Sequence, residues 1–268
     1  MNTVRKHLSR IKGGRLARAG KNAAEIASVT ISDVPHDDPS AIASGPTVPD
    51  PTTLADARAI VAKYKLDIDD AVRRALDDPA NESCKPDDAA FARAHFELIA
   101  RPKQSLDAAV KLARQSGYET IDLGADLEGE AREVAAAHAR MALDARAQGK
   151  RLAILSGGEL TVTVRGQGRG GPNQEYALAL ASLLKDTPDI SALAGDTDGA
   201  DGGAGHPTDP AGALIDAATF AKMKALALQP QAYLDNNDAT AFFEATGDLL
   251  QPGPTLTNVN DIRVILVD

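Results

Sequence analysis

The chain has 268 residues, of which 43% are hydrophobic, and this is enough apolar material for one large core or two modest ones. No run approaches the roughly 18 to 20 consecutive apolar residues of a membrane-spanning helix, and the first residues lack the apolar core of a secretory signal. The single cysteine, Cys84, excludes an internal disulfide and a multi-thiolate metal site. We therefore expect a soluble, cytoplasmic protein without a membrane partner.

Charge is distributed unevenly along the chain. The formal net charge is −9, yet residues 1–21 contain seven Lys or Arg and no acid, so the remainder carries 22 basic and 38 acidic residues. Such an N-terminus is compatible with a mitochondrial transit peptide, with a nucleic-acid-binding arm, or with a helix that presents cations to a small anionic ligand. The acidic remainder repels phosphate backbones, so we favour the third interpretation and expect no nucleic acid partner.

The first part of the chain predicts helices around one strand. Apolar residues recur at helical spacing in residues 1–12, and two glycines end that helix. The run ASVTISDV is rich in β-branched residues and predicts a buried strand of an α/β sheet. A loop dense in Pro, Ser and Asp follows, at the end of the strand where α/β sheets bind ligands, although a solvated connection is the alternative. Helices are then predicted over 53–65 and 68–78, and the polar stretch DDPANESCKPDD predicts a domain boundary after residue 88.

Strands and helices alternate after that boundary. Helices are predicted over 105–115, 128–147, 175–184 and 211–226, with a shorter one around Phe242. The strands between them are predicted from the runs HFELIA, YETIDLG, RLAILS, ISALAGD and DIRVILVD. Such alternation is typical of crossover units with helices on both faces of a sheet. The run LAILSGGELTVTV contains no helix between its two apolar parts, which indicates an antiparallel pair and therefore a mixed sheet.

The strongest local motif lies between a predicted strand and a predicted helix. In RGQGRGGPNQE, Gly166, Gly168 and Gly171 satisfy the G-x-G-x-x-G fingerprint of dinucleotide-binding loops. Glycine-rich amides at a helix N-terminus bind phosphate in general, so the motif predicts an anion site rather than NAD specifically. Arg169 adds a planar donor that can clamp a phosphate or a carboxylate at two points. The first-turn residues that would orient a ligand's hydroxyls, or merely cap the helix, are Asn173, Gln174 and Glu175.

A second motif, AGDTDGADG, places three aspartates among glycines directly after a predicted strand: Asp196, Asp198 and Asp201. Hard oxygen ligands in a flexible loop suit Mg²⁺, which would hold the phosphates of a nucleotide. An EF-hand loop would need a ligand where Ala200 stands and a glutamate where Pro207 stands, so the motif does not predict a calcium site. A turn rich in Asp and Gly, without a ligand, is the alternative.

Polar residues also gather in two places near the C-terminus. Asn236, Asn237 and Asp238 precede a predicted helix as natural caps. The loop before the last strand collects groups that suit a small polyol or a nucleotide, although turn chemistry explains them equally well: Thr255, Thr257, Asn258 and Asn260. The chain has no G-x-S-x-G elbow, no H-E-x-x-H, no CxxC pair and no Walker A lysine motif, and its five histidines do not fall at metal-ligand spacings.

With these motifs in view, the chain resembles the glycerate kinase family that ends in a MOFRL domain, in which some members are called hydroxypyruvate reductases. The resemblance implies a cleft between two α/β domains and transfer of phosphate from ATP to a hydroxyl of D-glycerate, usually O2, with Mg²⁺. It implies a layered α/β sandwich with a mixed sheet over 89–268, preceded by the C-terminal part of a Rossmann-like domain over 1–88. The matching segments, in family order along the whole chain, are MNTVRKHLSRIKGGRLA, ISDVPHDDPSAIASGPTVPDPTT, LSGGELTVTVRGQGRGGPNQE, AGDTDGADG, LDNNDATAFFEATGDLL and GPTLTNVNDIRVILV.

The chain departs from the family pattern in three respects. In the family, the segment MNTVRKHLS lies well inside the first domain, after a lysine implicated in substrate binding and a Gly/Ser-rich loop, so we expect a fragment or a misassigned start. Pro172 stands where many members have an arginine, which puts more weight on Arg169. Leu256 replaces a usual glycine, and the GGAGH around His206 lengthens a loop.

The resemblance assigns roles to individual residues, because phosphoryl transfer needs mainly positioning and charge neutralisation. The catalytic candidates are Arg169, which would clamp the transferring group, and Lys6 and Lys12, which together with Arg5 would face the substrate carboxylate or phosphates. The other substrate- or phosphate-binding candidates are Ser44, Gly45, Gly168, Gly170, Gly171, Asn173, Gln174, Glu175 and Asn258. Mg²⁺ would be held by Asp198 and Asp201 with Asp196, or else by Asp37 and Asp38.

Two other functions stay open at this point. An NAD(P)H-dependent hydroxypyruvate reductase is supported by the G-x-G-x-x-G match, but it needs a proton donor, and only His36 and His206 lie near the proposed anion sites in the sequence. An inactive binding module is the third hypothesis. The expected partners of the kinase are D-glycerate and a nucleotide, the expected cofactors are ATP and Mg²⁺, and a homodimer is a possible assembly.

Overall fold

The computed structural model describes residues 1–34, 37–203 and 206–268. The chain divides into two compact units, Met1–Ala100 and Arg101–Asp268. We predicted a boundary after residue 88, and the observed division falls later because the strand Ala94–Ala100, from the run HFELIA, pairs with a strand of the first unit. Within the described residues, no helix has both the length and the apolar character needed to cross a membrane.

The first unit contains four α-helices and two strands among its described residues: α1 (Asn2–Leu8), α2 (Arg15–Ala19), β1 (Ile26–Ile31), α3 (Leu54–Lys63), α4 (Asp70–Asp77) and β2 (Ala94–Ala100). Gly13 and Gly14 separate the first two helices with left-handed φ values of 59° and 78°, which glycine adopts without steric cost. The predicted helices 53–65 and 68–78 are confirmed. Thr53 caps α3 through a capping box with Asp56, and the Asp69 side chain caps α4.

The sheet of the first unit is not buried. β1 and β2 run parallel, with Ile26 opposite Ala94, and both strands alternate between half-buried and exposed residues. Val29 is 61% exposed and Ile99 is 53% exposed. The prediction of a buried strand at ASVTISDV is therefore wrong for this unit. Its core lies instead between helices, where Leu54, Ala57 and Leu76 pack together.

The second unit is built on a six-stranded sheet, whose strands lie in the order β3 (Glu119–Asp122), β5 (Leu152–Ser156), β10 (Asp261–Val267), β7 (Ile190–Asp196), β8 (Gly212–Ile215) and β9 (Leu249–Leu250). Only the β3–β5 pair is parallel, while every other pair is antiparallel, so the predicted mixed sheet is confirmed. A separate short parallel pair is formed by β4 (Gly129–Glu130) and β6 (Leu160–Thr161).

Two of the expectations for this sheet are wrong. The antiparallel pair expected within LAILSGGELTVTV does not form, because β5 pairs with β3 and β10 while β6 pairs with β4. Residues 212–215, predicted as the start of a helix, form β8 instead. The helix begins only after Asp216, whose side chain accepts hydrogen bonds from the amides of Ala218 and Thr219.

Helices cover both faces of this sheet, as the alternation predicts. They are α5 (Pro102–Gln115), α6 (Ala131–Ala147), α7 (Pro172–Leu183), α8 (Ala217–Ala225), α9 (Pro230–Asp235) and α10 (Ala239–Thr246). Neighbouring residues of β5 point to opposite faces. Ile154 belongs to a large core that contains Tyr176 and Phe242, and Leu155 belongs to a smaller one that contains Leu106. The sheet therefore carries a distinct core on each face.

His138 of α6 is buried in the larger core, where its Nδ1 lies 2.9 Å from the Tyr176 hydroxyl. Burial, with the nearby charge of Arg263, lowers the pKa of His138 from 6.5 to about 4. Because the folded pKa lies below the unfolded one, the neutral ring stabilises the fold above pH 6.5, and this contribution is lost as the pH falls toward 4. We expect His138 to lower the free energy of unfolding by about 2 kcal/mol at pH 5 relative to pH 7.

Urea denaturation of the wild type and of His138→Gln at the two pH values measures this effect. Glutamine keeps a polar group for the Tyr176 hydroxyl but does not titrate. The variant should therefore lose about 2 kcal/mol less than the wild type between pH 7 and pH 5. Equal losses in the two proteins would show that His138 does not cause the acid sensitivity.

Candidate functional site

The glycine-rich segment 165–171 of the second unit lies against the turn Asn236–Asp238. Five consecutive amides of the segment donate hydrogen bonds to this turn, and three of the acceptors are side-chain oxygens. The pairs are Arg165 N and Gly166 N to Asn237 Oδ1 (2.7 and 2.9 Å), Gln167 N to Asn236 Oδ1 (3.1 Å), Gly168 N to the Asn236 carbonyl (2.9 Å), and Arg169 N to Asp238 Oδ1 (3.0 Å). These amides are used within the protein and are not available to cradle a phosphate.

The same contact explains the glycine pattern. A Cβ atom at Gly166 would lie 2.2 Å from the Asn236 carbonyl oxygen, and one at Gly168 would lie 2.3 Å from Asp238 Cβ. A Cβ atom at Gly171 would lie 2.0 Å from the Asp201 carbonyl oxygen. Side chains cannot be accommodated at these distances. The G-x-G-x-x-G spacing is thus required by the packing of this segment against two turns of the same unit.

The residues Asn236–Asp238 do not cap the following helix in the way that we predicted. Asp238 occupies the N-cap position of α10, but its side chain makes no cap hydrogen bond there and accepts from Arg169 N instead. Asn237 is buried and has a left-handed φ of 51°. The three side chains therefore act as acceptors for a segment about seventy residues earlier in the chain.

A protein carboxylate occupies the N-terminus of α7. Asp201 Oδ1 accepts from the amide and the side chain of Asn173 (2.9 and 3.2 Å), and Oδ2 accepts from the amide and the side chain of Gln174 (2.8 and 3.1 Å). Because burial outweighs these donors, the pKa of Asp201 is raised to about 6. Both oxygens are committed to the helix, so this carboxylate takes the place that we expected a ligand phosphate to fill.

The first-turn residues of α7 hold three different parts of the unit together. Asn173 Oδ1 accepts from Arg263 Nη1 (3.5 Å), and Gln174 Oε1 accepts from the Thr240 hydroxyl (2.8 Å). Glu175 pairs with Arg132 and accepts from Asn237 Nδ2 (3.3 Å). All three α7 side chains are buried. Of the two sequence interpretations, the geometry therefore favours an anchoring role over contact with a ligand's hydroxyls.

Arg263 is a functional candidate that sequence reasoning missed. It is 1% exposed, and it bonds to Asp261 Oδ2 (3.1 Å), to the Ser156 hydroxyl (3.2 Å) and to the Gly158 carbonyl (2.7 Å). A signal for it was present in DIRVILVD, because residues 261 and 263 share the strand face of the buried Ile265 and Val267. A charged pair on a core face predicts a buried ion pair.

A cavity of about 410 Å³ borders the segment 168–170. The amides of Gly170 and Gly171 have no acceptor among the residues that the structure describes. The Arg169 side chain is 66% exposed, and its Nη2 lies 2.7 Å from Glu244 Oε2. At this cavity the Arg169 guanidinium and the Gly170 amide thus remain for an anion. The residues that line the cavity are Gly168, Arg169, Gly170, Gln174, Asp201, Gly203, Asp209, Pro210 and Thr240.

Asp196 and Asp198 lie on the turn that follows β7. Asp196 Oδ1 accepts from the Asp198 amide (2.9 Å), and Asp198 Oδ1 accepts from the Ala200 amide (2.8 Å). Asp196 also lies directly opposite Asp261 in the register of the antiparallel strands β7 and β10. Burial, reinforced by the charges of Asp261 and Asp198, raises the pKa of Asp196 to about 7. In the part of the chain that the structure describes, no three or more His, Cys, Asp or Glu side chains converge in a metal-binding group.

The loop 255–260 closes onto this turn through its own hydrogen bonds. The Thr197 hydroxyl donates to the Asn260 carbonyl (2.7 Å) and accepts from Val259 N (2.9 Å), while Thr255 N donates to the Asp198 carbonyl (3.1 Å). Asn258 Oδ1 accepts from the Asn260 amide at 2.9 Å. Turn chemistry therefore accounts for much of this polar cluster.

Leu256, at the tip of that loop, is strained. It is 95% exposed and has a left-handed φ of 62°, which costs an L-residue roughly 1 to 2 kcal/mol. We expect Leu256→Gly to raise the free energy of unfolding by about 0.5 to 1 kcal/mol, since glycine removes the strain but adds flexibility to the unfolded chain. Urea denaturation tests this, with Leu226→Gly as the control, because Leu226 is exposed at an ordinary φ of −89°. A gain of equal size in the control would contradict the strain argument.

The first unit places the predicted basic residues in different environments. Lys6 is buried in an ion pair with Asp50 (3.0 Å), so the expectation that its ammonium faces a ligand is wrong. Arg5 is exposed. Lys12 Nζ donates to the Ala43 carbonyl (2.9 Å). The predicted residues Lys12, Ser44 and Gly45 are thereby brought to one loop.

That loop has an unusual backbone. Ala43, Ser44 and Gly45 have consecutive left-handed φ values of 49°, 64° and 60°. Hydrogen bonds from Gly13 N to the Ser44 carbonyl (3.0 Å) and from Gly14 N to the Gly45 carbonyl (2.7 Å) hold the strained run in place. Strain that the surrounding structure maintains is typical of ligand-binding loops.

The alternative metal ligands of the first unit, Asp37 and Asp38, lie in the loop that follows β1. Asp38 accepts from the amide and the hydroxyl of Ser40 (2.8 and 3.0 Å), so both of its carboxylate oxygens serve the loop itself. Asp37 has a left-handed φ of 52°. His36, one of the two histidines near the proposed anion sites, lies outside the described residues.

Comparison with known proteins places these features in a family context. Residues 152–261 match the MOFRL family, and residues 1–77 match a domain of unknown function, DUF4147. A protein of Agrobacterium vitis named "putative hydroxypyruvate reductase" is 49% identical over the whole chain, which spans 60% of that relative. D-glycerate 2-kinase of Thermotoga maritima is 36% identical over the whole chain, which spans 62% of it.

A solved structure shows the same fold. The crystal structure of a glycerate kinase from Thermotoga maritima superposes with a TM-score of 0.84 at 36% sequence identity. The match covers 100% of this chain and 63% of the other one. The chain thus spans about three fifths of the length of these relatives.

Proposed function

This chain belongs to the glycerate kinase family that ends in a MOFRL domain, and on that premise we propose that it serves the Mg²⁺- and ATP-dependent phosphorylation of D-glycerate at O2. The names of the Thermotoga maritima relatives support the reaction and the substrate. Because the transferred phosphoryl group passes through a loose transition state, the protein contributes mainly positioning and charge neutralisation.

One observation carries the proposal: Arg169 and Gly170, whose amide has no acceptor among the described residues, line a shared cavity of about 410 Å³ that Asp201 also lines. In our proposal Arg169 clamps a phosphate through two parallel N–H donors, while the Gly170 amide donates a hydrogen bond to another phosphate oxygen. Asn173 and Glu175 support this surface from the interior and do not contact the ligand, since both are buried in contacts with the protein. The phosphate site is therefore smaller than the G-x-G-x-x-G motif implies.

Asp196 and Asp198 fit Mg²⁺ better than Asp201 does. Each of the two commits its Oδ1 atom to a turn amide, whereas both oxygens of Asp201 are committed to α7. Burial, together with the charges of Asp261 and Asp198, raises the pKa of Asp196, and a cation at this turn would relieve the repulsion among these carboxylates. Magnesium, when bound, neutralises phosphate charge and keeps several waters, so one or two carboxylates suffice.

For the first unit we propose that Lys12, Ser44 and Gly45 bind the glycerate carboxylate or a phosphate. The support is their meeting at the strained run 43–45, where an ammonium lies at 2.9 Å from a loop carbonyl. Lys6 has no place in this proposal, because Asp50 already neutralises its charge in a buried pair.

Two assays on the purified chain test the proposed function. ADP release on addition of D-glycerate and Mg-ATP is the expected result, and NADH consumption on addition of hydroxypyruvate should be absent. A calorimetric titration with Mg-ATP separates binding from turnover. If the chain neither releases ADP nor binds Mg-ATP, the kinase proposal fails for this chain and a binding module becomes the better description.

The second candidate is reduction of hydroxypyruvate, which the name of the Agrobacterium vitis relative favours. The geometry weakens it, because five amides of the dinucleotide fingerprint segment are bonded to the turn Asn236–Asp238 and Asp201 occupies the N-terminus of α7. NADH consumption that depends on hydroxypyruvate would reverse this ranking.

A further inference from the structure

One buried amide side chain, that of Asn237, bonds to the beginning of the segment 165–169. Residues 162–171 form neither helix nor strand, so no ladder of hydrogen bonds fixes them. Asn237 Oδ1 accepts from both Arg165 N (2.7 Å) and Gly166 N (2.9 Å), and its Nδ2 donates to the Thr163 carbonyl (3.4 Å). The amides of Gln167, Gly168 and Arg169 continue this contact along the rest of the turn.

The chemistry of that position admits few alternatives. Asn237 is 7% exposed, and its Nδ2 also donates to Glu175 Oε1 (3.3 Å), the oxygen that Arg132 contacts. The site therefore requires an acceptor on one side and a donor on the other, which an amide supplies and a carboxylate does not. The left-handed φ of 51° is one that asparagine and glycine tolerate better than most residues.

We propose that Asn237 is a positioning residue for the phosphate site. By holding the segment 165–169 in one conformation, it keeps the Arg169 guanidinium and the Gly170 amide at the same cavity. This inference rests on the proposed function, because it takes the ligand to be a nucleotide phosphate. The residue acts through the segment and does not touch the ligand itself.

Two variants separate positioning from folding. Asn237→Asp keeps the size and the acceptor but puts a second carboxylate against Glu175, whereas Asn237→Gly removes the side chain and keeps the left-handed backbone. Calorimetric titration with Mg-ATP should show affinity reduced by about tenfold or more in each variant, since a lost buried hydrogen-bond pair has effects of this order. Hydrogen exchange of the amides of residues 165–169 should accelerate in both.

A pH series supplies a readout that a purely structural loss would not change. In Asn237→Asp, lowering the pH from 8 to 5.5 should protonate one of the two adjacent carboxylates, the new one or that of Glu175. Because this relieves their repulsion, the affinity for Mg-ATP should recover in part relative to the wild type. Asn237→Gly has no group to titrate there and should not recover. Gln231→Glu adds the same charge to an exposed residue of α9 and should bind like the wild type at each pH.

The outcomes are distinct. Wild-type affinity for Mg-ATP in both variants, despite faster exchange of the loop amides, would overturn the positioning role while leaving the proposed function intact. An equal affinity loss in Phe220→Leu, a core variant of α8 chosen as a destabilised control, would show a general stability effect and also overturn it. A wild-type chain that does not bind Mg-ATP would overturn the proposed function and this inference with it.

Discussion

Replacing Arg263 with methionine is expected to lower the free energy of unfolding of the second unit by about 3 to 5 kcal/mol, the usual cost of leaving one member of a buried ion pair without its partner. The guanidinium is almost inaccessible to solvent and bonds to Asp261, Ser156 and the carbonyl of Gly158. Burial already raises the pKa of Asp261, and Arg263 opposes that shift. Without Arg263, Asp261 would have to bind a proton or remain charged in a buried site.

Urea denaturation followed by circular dichroism at pH 7 measures this effect. Arg151→Met is the matched control, because Arg151 forms an exposed pair with Asp268 and should change the free energy of unfolding by less than about 0.5 kcal/mol. The double variant with Asp261→Leu should regain part of the loss, since removing both charges avoids the unpaired carboxylate. A cost below about 1 kcal/mol for Arg263→Met would mean that the pair is not isolated from solvent.

The layered α/β class could be predicted from sequence because it depends on local periodicity. β-branched runs alternating with amphipathic stretches predicted β3, β5, β7 and β10 and the helices on both faces of the sheet. Pairing between strands could not be predicted in the same way. β5 takes β10 as a partner more than a hundred residues later, and the short strand β8 carries too few residues to show a period.

The sequence predicted only part of the candidate site. Gly168 and Gly170 beside Arg169 adjoin one cavity with Asp201, whereas Asp196 and Asp198 do not line it. What sequence could not reveal is which polar groups are already satisfied. Asp201 binds α7, and Asn237 binds the glycine-rich segment, through contacts between residues far apart in the chain that local propensities do not encode. Lys6 was misjudged for the same reason, since Asp50 pairs with it from another loop.

Arg169→Ala is expected to reduce kcat/KM for the ADP-releasing reaction by about 10²- to 10³-fold, the range seen when one preorganised donor to a developing negative charge is removed. The side chain is mostly exposed and its pair with Glu244 lies at the surface. Removing it should therefore change the free energy of unfolding by less than about 0.5 kcal/mol. Initial rates with D-glycerate and Mg-ATP, combined with urea denaturation, measure the two effects in the same protein.

Matched variants decide whether the guanidinium itself is responsible. Arg169→Lys keeps the charge but loses the planar pair of donors, so its rate should fall between those of the wild type and of Arg169→Ala. Arg140→Ala removes an exposed arginine of α6 and should leave the rate unchanged. Glu244→Gln removes the carboxylate that competes with a phosphate for Arg169, and the KM for Mg-ATP should fall by up to about fivefold, because exposed ion pairs are weak. An unchanged rate in Arg169→Ala would show that the reaction needs neither the guanidinium nor its pair with Glu244.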